Sequence, residues 1–277
     1  MLSDVTDLLA CPQCRAEVEL DGGAIVCASG HRFDVARQGY VSLTAGTAVK
    51  FEGDSADMIA ARAQFLSAGH YDPFVHSVAT AVGERGGQPR VLEVGAGTGH
   101  YLAGVLDHCP GSRGLGLDVS KYAARRIAKS HPRTGAVVAD VWAQLPVRDG
   151  VISDVLCVFA PRNAAESARV LEPGGHLTVL TPTDRHLVEL IDVLGMVNVD
   201  ERKVERLDAS TSDYFAPATR TEVEFAMELT RSDVAQLVGM GPSARHFGPG
   251  ELAAKVADMP ALSTVTASAI VSSYERA

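Results

Sequence analysis

From Arg90 onward, short apolar runs alternate with stretches whose apolar residues recur every three to four positions. Such alternation marks strands buried on both faces between covering helices. It predicts strands near 90–94, 114–118, 136–139, 152–158 and 176–181, and helices over about 99–108, 120–130 and 163–171. Glu172-Pro-Gly-Gly175 reads as a sharp turn into the fifth strand. A further helix is expected from Asp184 to about Val197, then a strand over Thr221–Thr230, a helix over Arg231–Met240 and a last strand over Leu262–Ser273. The polar stretch 198–220 shows no clear period and is left open, and no internal repeat or low-complexity tract interrupts the order.

Ahead of this series, Asp54 or Ser55 can cap a helix whose Met58, Ile59, Phe65 and Leu66 share one face, with Gly69 as its stop. A second helix follows from His70 to about Glu84 with Phe74, Val75 and Val78 inward, and Gly86-Gly-Gln-Pro89 breaks the chain. Thr44 to Phe51 reads as a linker. Nearer the start, Glu17 to Val26 alternates around Asp21-Gly22-Gly23, a hairpin signal. Phe33, Val35, Tyr40 and Val41 are expected to form a miniature core. The expected organisation is a small domain over 1–43, a linker and helices over 44–89, and a doubly wound α/β domain over 90–277.

Composition narrows this picture only modestly. A chain of 277 residues that is 46% hydrophobic and 21% charged can bury one large core with a small appendage. No run approaches the roughly 20 apolar residues of a membrane span. The acidic start, Met1 to Asp7, lacks the basic segment of a signal peptide, so a cytoplasmic protein is expected. The net charge of −9 opposes bulk nucleic-acid affinity but leaves room for a local basic patch. Lys121, Arg125 and Lys129 would share one helix face and could track phosphates, as could Arg32, Arg37 and Gln38; a solvated face is the competing reading for both sets.

Chemistry enters first at the cysteines. Cys11-Pro-Gln-Cys14, twelve intervening residues, then Cys27-Ala-Ser-Gly-His31 is a CxxC…CxxxH pattern. Three thiolates and an imidazole complete a tetrahedral zinc shell, and with no position left open the metal is structural. The pattern and the hairpin between its halves together read as a zinc ribbon. Cys157 lies in an apolar run as buried packing, and Cys109 has no assigned role.

The second chemical signal is Val91-Leu-Glu-Val-Gly-Ala-Gly-Thr-Gly99, a strand that breaks into a glycine turn and then a helix from about His100. The third glycine comes one residue earlier than in dinucleotide sites, an acid (Glu93) precedes the first glycine, and Asp118 ends the next strand about 20 residues on. This variant fits S-adenosylmethionine better than NAD, with Asp118 suited to ribose hydroxyls. The candidate cofactor residues here are Glu93, Gly95, Gly97, Thr98, Gly99, His100 and Asp118.

These segments occur in a distinctive order. The zinc set runs into His31-Arg-Phe-Asp-Val-Ala-Arg-Gln-Gly-Tyr-Val41, followed by Gly53-Asp-Ser-Ala-Asp-Met58, Leu66-Ser-Ala-Gly-His-Tyr71 and the glycine loop. Leu117-Asp-Val-Ser-Lys121, Phe159-Ala-Pro161 and Glu172-Pro-Gly-Gly175 come next. The chain resembles the bacterial 23S rRNA guanine-N1 methyltransferases over nearly its whole length. Phe159-Ala-Pro-Arg-Asn163 and Met240-Gly-Pro-Ser243 look like the macrolide-resistance branch, which modifies guanine-748, and less like the branch acting at guanine-745. The resemblance implies a Rossmann-like, seven-stranded methyltransferase domain with a reversed last strand, a zinc ribbon for RNA recognition, S-adenosylmethionine as cofactor, a homodimer, and a 23S rRNA hairpin as partner. It also implies that Tyr71 and His186 lie at the cofactor. Asp140 is expected to accept from the adenine amino group, and the backbone of Val141 to bond the ring; Trp142 either packs on the adenine or fills core.

Guanine N1 carries a proton that must leave before or during methyl transfer, so a base or a cation at O6 is needed. Arg162 could stabilise O6 and Asn163 read the base edge; Asp54 and Asp57 are alternative proton acceptors. A small-molecule methyltransferase of an antibiotic pathway and a non-catalytic RNA-binding module are the competing functional readings.

Overall fold

The computed structural model describes residues 1–44, 53–196, 202–248 and 250–277. Two short 3-10 turns, Leu2–Asp4 and Thr6–Leu8, lead into β1 (Val18–Asp21) and β2 (Ala24–Cys27), with β3 (Arg32–Asp34) antiparallel beside β2. Gly22 and Gly23 both take positive φ between β1 and β2, the backbone that a two-residue hairpin loop needs to match strand twist. β4 (Tyr40–Ser42) follows, then α1 (Ala56–Ser67) and α2 (Asp72–Gly83). Ser55 caps α1 by accepting from the Met58 amide at 3.2 Å. Of the expected linker, only Thr44 falls within the described residues.

The α/β series is β5 (Arg90–Val94), α3 (His100–His108), β6 (Arg113–Asp118), α4 (Lys121–Ser130), β7 (Thr134–Val138) and β8 (Ile152–Val158). It continues with α5 (Ala164–Val170), β9 (Leu171–Pro182), α6 (Val188–Leu194) and α7 (Lys203–Thr211). β10 (Thr219–Thr230), α8 (Arg231–Gly239), α9 (Glu251–Ala257) and β11 (Leu262–Glu275) complete the chain. Glu172 to Gly175 bulges out of β9: Ile152 of β8 faces Leu171, and Asp154 already faces His176.

These strands form one sheet in the order β10-β11-β9-β8-β5-β6-β7-β4. β5 to β9 run parallel, and β11 lies antiparallel to both β9 and β10. Leaving β4 aside, this is the seven-stranded sheet with a reversed last strand that the resemblance implied. Alternation along each strand sorts side chains to opposite faces. Val91 of β5 and Leu156 of β8 join one core with Phe65, Phe74 and Leu102, whereas Leu92, Val94, Val155 and Cys157 join the other with Ile25, Val41 and Leu207. The exposed edge, β10, carries outward Glu222, Glu224 and Glu228, charges that oppose edge-to-edge pairing.

Two expectations are corrected. The miniature ribbon core does not form as drawn: β4 pairs in parallel with β7, Val41 is fully buried against the main sheet, and Tyr40 packs by Ala96, Ile127 and Ala136. About 40 residues bury too little surface to stand alone, so ribbon and sheet share a core. Arg15 seals the junction, its guanidinium donating to the carbonyls of Leu145 and Val147 at 2.8 Å each. Second, the helix expected from Asp184 starts only at Val188 and ends at Leu194, before a left-handed Gly195; Val197 lies outside the described residues. Residues before it are drawn to β11 instead, with the Leu187 amide donating to Thr266 at 2.8 Å. The polar stretch left open above holds α7, whose Leu207 and Thr211 are buried.

Candidate metal centre and cofactor cavity

Cys11, Cys14, Cys27 and His31 converge, with their ligand atoms all within 4.8 Å of one another. His31 Nδ1 lies 3.4 Å from the sulfurs of Cys11 and Cys27, and Cys14 Sγ is 3.7 Å from Cys27 Sγ. A tetrahedron with Zn–S of about 2.3 Å and Zn–N of about 2.0 Å separates neighbouring ligand atoms by roughly 3.5–3.8 Å, which these three separations match closely. Four protein donors close the shell, and the role is structural.

A cavity of about 860 Å³ opens at the carboxyl ends of the parallel strands. Its volume suits a cofactor together with part of a substrate. The glycine loop forms one wall. A Cβ on Gly95 would lie 2.7 Å from Ala160 Cβ, and one on Gly97 2.9 Å from the Arg62 guanidinium, and both residues take positive φ. Bare backbone is therefore what lines this wall. The Gly97 amide donates to Asp118 Oδ2 at 2.9 Å and the Ser120 amide to Oδ1 at 2.8 Å, which aims the carboxylate from the end of β6 along the cavity. Burial pushes the Asp118 pKa up, and these two amides oppose the rise. Glu93 is fully buried below the loop and accepts from the Leu102 amide at 3.2 Å. Burial pushes its carboxyl up to about 8, with nearby Asp118 adding and Arg62 opposing.

Thr98, His100, Asp140, Val141 and Trp142 line the same cavity. Asp140 lies just beyond β7, and its Oδ1 accepts from the Trp142 amide at 2.9 Å. Trp142 is 53% exposed, which removes the core-filling reading. Three acidic side chains from successive strand ends, beside a backbone wall, provide hydrogen-bond partners for hydroxyl and amino groups, and Asp118 and Asp140 add a negative field for a sulfonium. The donor set thus fits S-adenosylmethionine. Gly99 stands apart: it is the N-cap of α3, and a Cβ there would strike Ser130 Oγ at 2.7 Å and Ile127 Cα at 3.2 Å, so its bareness lets α3 close on α4.

Tyr71 and His186 also meet at the cavity. His186 Nδ1 accepts the Ser268 amide at 3.1 Å, and burial, then Lys203, holds its pKa down at about 4. The neutral ring therefore carries its proton on Nε2, which lies 3.3 Å from the Tyr71 hydroxyl and donates to it. Burial raises the Tyr71 pKa, so the phenol keeps its proton and can donate it onward.

Arg162 and Asn163 are not among the residues lining the cavity. Asn163 caps α5, accepting from the Glu166 amide at 3.3 Å, and its Nδ2 donates to the Val141 carbonyl at 3.3 Å. Arg162 is half-buried near Cys157, whose thiol burial pushes up to about 12. Of the alternative acids, Asp54 lines the cavity, held by Arg62 at 2.6 Å and Arg245 at 3.9 Å, while Asp57 is exposed off it. The anticipated basic faces lie elsewhere: Lys121 and Arg125 sit over the Tyr122 ring, and Arg32 pairs with Asp21 and Asp34. The cations lining the cavity are Arg62, Lys203, Arg206 and Arg245. The three-residue spacing of Lys203 and Arg206 was the available signal for α7, but the stretch lacks apolar residues at a clear period.

Sheet, backbone cradle and closed metal knuckle define an S-adenosylmethionine-dependent methyltransferase with a structural zinc ribbon. Residues 9–44 match the N-terminal zinc-ribbon family of RlmA, and residues 91–175 match a methyltransferase domain family. A 23S rRNA (guanine-N1)-methyltransferase of Micromonospora griseorubida is 46% identical over 99% of both chains. The 23S rRNA (guanine(748)-N1)-methyltransferase of Streptomyces fradiae is 42% identical over 97% of this chain and 96% of its own. The methyltransferase complexed with a Haloferax volcanii activator shares the fold, with a TM-score of 0.52 and 16% identity over 82% of this chain and 99% of that one. The chain belongs to the 23S rRNA (guanine-N1)-methyltransferase family.

Proposed function

We propose that the protein methylates N1 of a guanine in a 23S rRNA hairpin, guanine-748 in preference to guanine-745, in the cytoplasm and as a homodimer, and thereby confers macrolide resistance. The observation that carries this reading is a single cavity that brings the acidic residues of the cofactor wall together with Arg62, Lys203, Arg206 and Arg245. Near-full-length likeness to the Streptomyces fradiae enzyme supports the choice of nucleotide. Among the described residues, no helix is long and apolar enough to cross a membrane.

The bound cofactor supplies an activated methyl group. The chain's own residues hold and orient. Glu93, Asp118 and Asp140 fix the cofactor against the glycine wall, and Tyr71, with its proton free to donate, is placed to hold an acceptor. The Asp54 carboxylate takes the N1 proton, and the flanking Arg62 and Arg245 provide positive charge for O6. Asn163 and Arg162, off the cavity, act as positioning residues, Asn163 through the Val141 carbonyl.

Primer extension on unmodified 23S rRNA incubated with protein and cofactor should stop at one guanine, position 748. A stop at 745 overturns the choice of nucleotide, and no stop overturns the reading. Hairpin affinity should fall steeply with salt; a flat response would remove the electrostatic part.

A further inference from the structure

We infer that Phe159 is the platform on which the target guanine stacks once it has left its hairpin. This rests on the RNA-methylating reading above. A purine methylated at N1 must expose an edge that pairing and stacking normally cover, and an extruded base needs a new π surface. Two of the four Phe, Tyr and Trp rings lining the cavity are spent: Tyr71 and Tyr101 are buried at 3% and 7% exposure. Phe159 and Trp142 remain open, at 40% and 53%. Trp142 follows Asp140 on the cofactor's expected adenine side. Phe159 directly follows β8, between the glycine loop, against which its neighbour Ala160 packs at Gly95, and His186.

Two features separate Phe159 from ordinary packing. Its φ is +48°, a left-handed backbone that costs a bulky residue energy and that glycine or asparagine would adopt more easily. Such strain persists where the ring is wanted at that place. The ring is also held from behind: His186 stacks on it at 5.6 Å and 23°, and Phe74 meets it edge-on at 5.9 Å. A rigid aromatic with neutral support and open surface facing a cavity is suited to a purine. Lys203 and Arg206, one turn apart on α7, line the same cavity and supply charge for the flanking phosphates.

The test compares Phe159→Leu, which keeps apolar volume, with Phe159→Tyr, which keeps the π face, using full-length zinc-loaded protein. Phe159→Leu should lower kcat/KM for the hairpin by about 10- to 100-fold, and Phe159→Tyr should stay within about threefold of wild type. Affinity for S-adenosylmethionine by calorimetry should stay within about twofold in both. Binding without turnover gives a second readout: wild type should bind a hairpin abasic at the target about 10-fold more weakly than the intact one, whereas Phe159→Leu should bind the two hairpins with the same affinity. The inference fails if Phe159→Leu methylates like wild type, if it keeps the abasic discrimination, or if it loses cofactor affinity. Should wild type methylate no guanine at all, the underlying reading falls as well, which the variants alone would not show.

Discussion

The zinc cluster and the cofactor cavity are built in opposite ways. All four metal ligands lie between Cys11 and His31, whereas the cavity draws on residues from Gly53 to Arg245. The cluster follows from two tight knuckles and a hairpin, so its geometry is written locally. The cavity has one local wall, the glycine loop, and other walls from α1, α7 and the turn after α8 that meet it only through the fold. The difference shows why one site was complete in the sequence and the other was half visible. It also exposes a limit of the contrast: the locally built ribbon does not stand alone, because Cys11, Ile25 and Cys27 share a core with Leu92 and Leu115.

The sharpest break comes from removing the metal. Cys27→Ser, or chelation, should reduce zinc content to near zero and lower the melting temperature of the whole chain by about 10 °C or more. Calorimetry resolving an unshifted main transition would show that ribbon and sheet are energetically separate. Next in size is the loop. Gly97→Val should weaken S-adenosylmethionine binding by at least about 100-fold with zinc content unchanged, since the added carbon collides with Arg62 on a left-handed backbone. Gly99→Ala should instead cost about 1–3 kcal/mol of stability, through Ser130 and Ile127, and leave cofactor affinity within about fivefold.

A smaller effect is expected at Glu93. The folded chain keeps its proton up to about 8, above the ordinary 4.5, because burial disfavours the charge. An ionised Glu93 favours a cationic ligand, so cofactor affinity should rise between pH 6 and 9, by up to about 10-fold, and Glu93→Gln should flatten the profile. The unfolded chain releases this proton near 4.5, so Glu93 makes the fold progressively less stable from there to about 8, a slope the Gln variant should lack. Smallest is Tyr71→Phe, which removes the phenol that accepts from His186 and donates into the cavity. It should cost about 1 kcal/mol in stability and about fivefold in cofactor affinity, read by melting and titration.

Much of this was legible in the chain. Val91 to Gly99, the acids Asp118 and Asp140, and the strands from 90 to 158 follow from dense apolar runs and backbone-driven turns. Tyr71 and His186 came only from family resemblance, since a lone aromatic and a lone histidine carry no spacing signal. Arg162 and Asn163 were placed by chain order after β8, but capping α5 satisfies Asn163 and turns it from the cavity. α7 stayed hidden because its cations and its buried Leu207 lie in a polar stretch with too few apolar residues to show a period.

By itself the sequence determined whatever depends on neighbours in the chain: the zinc knuckles, the bare glycine bend, the caps and the alternation of strand and helix. Their physical causes, φ freedom, ligand reach and hydrogen-bond closure, act over a few residues. Only the tertiary structure decided that β4 joins the main sheet, that Asp54 faces the cavity while Asp57 does not, and that Phe159 stays open beside His186. Those outcomes depend on which surfaces are left to bury once the sheet has closed, a quantity distributed over the whole core.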